Sequence, residues 1–90
     1  MNTIPQTIYS QISISTKMSV GARKPIGGSN YLIFDVLTGS QHKVKITLNS
    51  LDLYDVQRLR IRKHEVIVVE ELNNVYADQL NDVIYGFVNK

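Results

Sequence analysis

Cysteine is absent from this chain of 90 residues. That excludes a disulfide framework, a thiolate metal site and a cysteine nucleophile, and it fits a reducing compartment. Long hydrophobic runs are missing too. The longest are four residues, against about 20 for a helix that crosses a bilayer. No basic, apolar, small-residue leader opens the chain, so the expectation is a cytoplasmic, soluble protein with no membrane contact. A strong charge of one sign is also lacking: ten basic residues stand against eight acidic ones, for a net +2. A strongly basic nucleic-acid binder usually carries more, although distribution counts for more than the sum. Internal repeats and low-complexity tracts are absent. What remains is 43% apolar, enough for a core. A single domain of this length buries only about 60–65% of its unfolded surface, so self-association would add to a thin stability margin.

The chain is organised around residues 43–72. Val44, Ile46 and Leu48 alternate with Lys43, Lys45, Thr47 and Asn49, the period of a half-buried strand with a basic outer face. Asn49-Ser50 carries turn chemistry. The segment Leu51–Lys63 reads two ways. As a helix, its shared face would mix Leu51, Tyr54 and Leu59 with Asp55, Arg58 and Arg62. As a strand from about Tyr54, its pattern switches phase near Arg58, and a bulge there would put Val56, Leu59 and Ile61 on one face. The bulged strand is preferred. Lys63-His64-Glu65 reads as a polar turn. Val66–Val69 is apolar throughout and reads as a central strand covered on both faces. Short connections make these strands an antiparallel meander.

On the N-terminal side, Thr3 to Ser13 reads as a short helix. Thr3 and Gln6 stand at capping-box spacing, Pro5 falls in the first turn, and Ile4, Ile8 and Ile12 form a stripe beside Tyr9. Residues 15–30 are rich in glycine and small polar residues and read as loop, with a brief edge strand at Met18–Val20 as the alternative. The segment 21–30 is expected to be a flexible Gly-rich loop with Arg23 and Lys24 at its tip. Tyr31–Leu37 reads as a strand with Leu32, Phe34 and Val36 on one face, followed by a turn at Thr38–Gln41. On the C-terminal side, Asn74 suits the N-cap of a helix over 75–88, with Tyr76, Leu80, Val83, Ile84 and Phe87 inward and Asp78, Asn81, Asp82 and Tyr85 outward.

Chemistry-bearing signals are few. Arg58, Arg60 and Arg62 on a regular strand would project from one face at about 6.6–6.8 Å intervals, close to successive phosphates. Arginine forks bind phosphate and stack on bases. Lys43 and Lys45 would widen such a patch, Arg23 and Lys24 would reach an acidic partner, and Tyr31 and Tyr54 would supply stacking platforms. The plainer account is a solvated face, or a strand edge blunted by charge, and the preferred bulge breaks the alignment. The glycines of 21–29 form no phosphate loop, because no Gly-Lys-Ser/Thr follows and Pro25 removes a donor. Glu70 and Glu71 point oppositely as strand neighbours, Asp78 and Asp82 share an outer helix face, and Asp52 and Asp55 suit turn bonds. None of these pairs makes an acid–base cleft. His42 and His64 fall in predicted turns beside lysine, a poor setting for a metal ligand. No catalytic residue, metal or cofactor is expected.

Three segments carry a family resemblance: Gly21-Ala22-Arg23-Lys24; Val44-Lys45-Ile46-Thr47-Leu48-Asn49 with Leu51-Asp52 and Tyr54-Asp55-Val56; and Val75-Tyr76-Ala77-Asp78-Gln79-Leu80. Over roughly residues 18–85 the chain resembles a family of small uncharacterised bacteriophage-encoded proteins. The resemblance implies a phage or prophage origin and a setting inside the host bacterial cell. It implies no activity, cofactor or catalytic residue. At the positions of Arg58 and Leu59 the family tends to hold an aromatic and a small residue, so this chain departs from it there.

The expected fold is α+β: a small antiparallel sheet of about four strands in a meander, a C-terminal amphipathic helix and a short N-terminal helix, in one domain over 1–90. The expected function is that of a non-enzymatic interaction protein, binding and modulating a host or phage protein or other macromolecule, with a homo-oligomer interface as one form of that surface. The alternatives are a nucleic-acid-binding module built on Arg58, Arg60, Arg62, Lys43 and Lys45, a virion structural component, and, least favoured, a small enzyme.

Overall fold

The computed structural model describes residues 3–37 and 41–88. Its order is α1 (Ile4–Gln11), α2 (Ile14–Val20), β1 (Arg23–Gly27), β2 (Tyr31–Asp35), β3 (His42–Leu48), β4 (Tyr54–Arg62), β5 (Glu65–Val75), a 3-10 turn (Ala77–Gln79) and α3 (Leu80–Val88). The sheet has five strands in the order β1-β2-β3-β4-β5, every neighbouring pair antiparallel. The α+β meander is as expected, with one strand more.

α1 begins where the capping box requires. Thr3 Oγ1 accepts from the Gln6 N–H, and Gln6 Oε1 accepts from the Thr3 N–H, which satisfies two donors that the first turn leaves open. The helix stops at Gln11, and a second one starts at once. Ser13 Oγ accepts from the Thr16 N–H at 3.1 Å, an N-cap inside what reads as loop from composition. α2 ends at Gly21, whose φ of 67° is left-handed. A side chain there would also press on the Leu37 carbonyl, 3.2 Å from the would-be Cβ. Residues 15–30 are therefore a helix and a strand: Met18–Val20 is helical, and the edge strand is Arg23–Gly27 instead. The local composition hides this because capping residues and glycine serve helix ends as well as loops.

The helices cover one face of the sheet. α1 lies over β1 and β2, α3 over β4, and α2 packs on α3. Phe34, Val44, Ile46 and Val56 are buried from the sheet; Ile8, Ile12, Val20, Leu80 and Ile84 are buried from the helices. Asn81 joins α3 to the α1–α2 junction. Its Oδ1 accepts from the Ser13 N–H at 2.7 Å, and its Nδ2 donates to the Gln11 carbonyl at 3.1 Å. A residue read as outward-facing is thus a clamp. Asn49 performs a similar service at the β3–β4 turn, where its Oδ1 accepts from the N–H groups of Leu51 and Leu53. Its Nδ2 reaches Asp55 and Asn74, so Asn49 and Asp55 organise this turn.

Three expectations about the central segment change. First, β4 pairs with β3 without a break from Tyr54 to Arg60. The register shift at Arg58/Leu59 lies between β4 and β5, and counting the pairs puts the extra residue on β5, at Val69. β4 keeps its alternation, with Val56 on the helix side and Leu59 on the other. Second, β5 runs to Val75, and Asn74 sits inside it with φ 59°. It bonds Asn49 and caps no helix; α3 starts only at Leu80, after the 3-10 turn. Third, β5 is an edge strand. Val66 to Val69 are exposed, from 40% to 61%, where coverage on both faces was expected. The turn placed at Thr38–Gln41 lies largely outside the described residues.

Lys63 and His64 form a two-residue hairpin turn between β4 and β5 with φ of 49° and 69°. Both values are left-handed, the type I′ pattern that favours Asn-Gly. A side chain in this region carries a cost of roughly 1–2 kcal/mol. Lys63→Asn with His64→Gly is expected to raise unfolding stability by about 1 kcal/mol, once the extra unfolded-state freedom of glycine is set against the relief. The check is a higher urea midpoint with an unchanged denaturant slope.

Candidate functional site

The regular alternation of β4 brings Arg58, Arg60 and Arg62 onto one face, as the phosphate-spacing idea requires. Their cross-strand neighbours identify that face. Arg58 stands opposite Val44 and Glu70; Arg60 opposite His42 and Ile67; Arg62 opposite Glu65. This is the helix-covered side, at the end where the β4–β5 hairpin runs beyond the helices. Arg58 is half-buried, whereas Arg60 and Arg62 are exposed. Glu65 and Glu70 on the neighbouring strand put negative charge beside the stripe.

His42 belongs to this cluster and lies in β3, whereas its sequence setting reads as a turn. Partial burial, and then the charges of Arg58 and Arg60, hold its pKa below the ordinary 6.5. Its Nδ1 and the Nε of Arg58 are buried polar atoms without a hydrogen-bond partner. A neutral imidazole beside two guanidiniums is the electrostatic outcome expected of such crowding.

The lysines fall on the other side of the sheet. Lys43 is ion-paired with the buried Asp35, and Lys45 Nζ sits 4.8 Å from the centre of the Tyr31 ring. Arg23 faces the same Asp35 in register. Lys24, exposed, occupies a bulge in β1 with φ 52°. Lys43 and Lys45 therefore do not widen the arginine patch, because residues one register step apart face opposite ways. Nor are the tyrosines open platforms. Tyr54 is buried and donates its hydroxyl to Gln11. Tyr31 is half-buried, its ring packed where a side chain at Gly28 would lie.

Among the described residues, no three or more histidines and carboxylates gather as a metal would require. No helix among the described residues is long and apolar enough to cross a membrane. A cavity of about 700 Å³ opens between α1 and the β1–β2 edge, with Pro5, Tyr9, Lys17, Pro25 and Leu32 in its lining. Lys17 Nζ lies 3.8 Å from the Tyr9 ring centre. No carboxylate or histidine lines it.

The surface feature that composition concealed is β5. It pairs with β4 along one side and forms the boundary of the sheet. Its apolar residues project on both faces: Val66 and Val68 share the open face with Leu59 and Ile61, while Ile67 and Leu72 stand on the helix side beside Arg60 and Val56. Leu72 also lines a shallow groove with Gln79, Asp82 and Val83 of the α3 region. A sequence-level signal for this edge does exist. In a meander with short connections the last strand is a boundary strand by topology, and among the described residues β5 is followed by a 3-10 turn and α3.

Comparison with family models, curated proteins and solved structures returned no match to this chain.

The His42 environment has a consequence for stability. The unfolded chain takes up a proton near 6.5, whereas the folded chain resists it. Stability is therefore full above that value and falls as pH drops through it toward the lower folded pKa. The wild-type urea midpoint is expected to fall across this window more than that of His42→Asn. In Arg58→Gln the NMR titration of His42 is expected to move up toward 6.5. A flat wild-type profile, or an unmoved titration, would contradict this.

Proposed function

We propose that this chain is a non-enzymatic interaction protein, encoded by a phage and acting in the host bacterial cytoplasm, that binds and modulates a host or phage macromolecule through the β5 edge. The exposure of Val66–Val69 carries the reading. Four consecutive apolar side chains cost free energy in water. A strand hydrogen-bonded on one side is a template for another strand. Monomeric surfaces seldom keep such apolar patches contiguous unless they serve binding.

Nucleic-acid binding is the second reading, favoured by the shared face of Arg58, Arg60 and Arg62. Two observations weigh against it. Glu65 and Glu70 flank the stripe in register, and Lys43 and Lys45 lie on the opposite face, one of them already paired. The positive surface left is short, and affinity for a polyanion scales with the number of phosphates neutralised.

One pair of variants separates the readings. Val68→Lys puts a charge on the apolar edge, and Arg58/Arg60/Arg62→Ala removes the stripe. Affinity capture from host and phage-infected lysates is expected to retain a partner with wild type and lose it with Val68→Lys. Fluorescence anisotropy with labelled single-stranded DNA, duplex DNA and RNA at low salt is expected to show no binding. Micromolar binding that weakens with salt and vanishes in the arginine variant would overturn this ranking.

A further inference from the structure

The backbone of β5 determines what kind of strand it can accept. In the type I′ turn the Glu65 N–H faces the Arg62 carbonyl, so Glu65 directs its backbone groups toward β4. Antiparallel ladders alternate; Ile67 therefore also faces β4, and Val66 and Val68 turn their N–H and C=O groups to the outer edge. The bond from the Ile61 N–H to the Gln41 carbonyl agrees with this phase, since Ile61 must then face away from β5. The open ladder thus offers two bonding residues, Val66 and Val68, on either side of Ile67.

We infer that this edge is completed by a second copy of the chain, with β5 against β5, antiparallel, about a two-fold axis through Ile67. The inference rests on the interaction reading above and names its partner. In this register Val66 of each copy exchanges backbone bonds with Val68 of the other, and Ile67 faces its own copy as a non-bonded pair. Both valines lie on the open face, so the seam brings the exposed Val66 and Val68 of one copy alongside those of the other.

Charge selects the same arrangement. The hairpin end carries Arg62 and Lys63 just before β5 opens on Glu65, the middle of the strand is apolar, and Glu70–Glu71 lie beyond. An antiparallel two-fold exchanges the ends, so each basic turn comes alongside the acidic segment of the other copy. An axis through Val68 would place Glu65 opposite Glu71 of the other copy, and like charges across a ladder are unfavourable. An axis through Val66 would leave Val69 beyond the contact. Such a self-complementary strand is what an isologous two-fold interface needs.

The test uses the full chain. Sedimentation equilibrium is expected to give twice the 10.2 kDa mass of the chain, falling twofold in Val68→Lys, whose circular dichroism should match wild type. The absence of cysteine allows the register to be read directly. Non-bonded antiparallel pairs have Cα atoms about 4.5 Å apart, within disulfide range. Ile67→Cys is expected to cross-link to itself under mild oxidation, and Val66→Cys and Val68→Cys are not. Self-cross-linking at 66 or 68 in place of 67 would overturn the register, and a single-chain mass at all concentrations would overturn the dimer. If wild type is a single chain yet captures a different protein in a Val68→Lys-sensitive manner, the second copy is wrong and the interaction reading stands. If both assays fail, both are wrong.

Discussion

The structure depends on covering one face of a twisted sheet with helices too short to stand alone. α1, α2 and α3 have eight, seven and nine residues, below the length at which an isolated helix persists in water. Each is held by what it buries. Ile8 and Ile12 in the N-terminal pair, and Leu80 and Ile84 in α3, have almost no exposed surface. The sheet needs them equally, since Phe34, Val44, Ile46 and Val56 would otherwise face solvent. This mutual dependence sets the reach of the core, and three short helices leave the β4–β5 hairpin projecting beyond it.

Polar ties set the geometry within that limit. Asn81 satisfies one donor and one acceptor where α1 gives way to α2, a junction where helix ends leave backbone groups open. Asn49 and Asp55 bind the β3–β4 turn to the far end of β5. On the open face Asp35 is buried and meets Lys43. A buried carboxylate without a partner would be costly, so this lysine is held for structure rather than left for a ligand.

The proposed preference for protein contacts over nucleic acid rests on how charge and exposed apolar surface are distributed. Cations that look like one patch in sequence are divided between two faces, and the arginines that share a face have acidic neighbours. β5, in contrast, holds neither lysine nor proline within it, two common devices that keep edges from pairing. Its main irregularity near the apolar run is the extra residue at Val69, which follows the two residues that offer their backbone outward.

Local pattern determined what depended on neighbours in the chain. The capping box at Thr3 and Gln6, the alternation through β2 and β3, the turn after Leu48, the hairpin at Lys63–His64 and the Leu80/Ile84/Phe87 stripe are all legible, because each reflects a period or a cap spanning a few residues. The α2–β1 region was not, since Ser13 and Gly21 carry the same composition whether they end helices or make loops. Tertiary structure alone decided three things: that the irregularity at Arg58 belongs to the partner strand, that Lys43 and Lys45 face away from the arginines, and that Val66–Val69 lies at an edge. A run of β-branched residues reads identically in a covered central strand and an uncovered boundary strand. The difference lies in what packs against it, and that is a property of the assembled sheet.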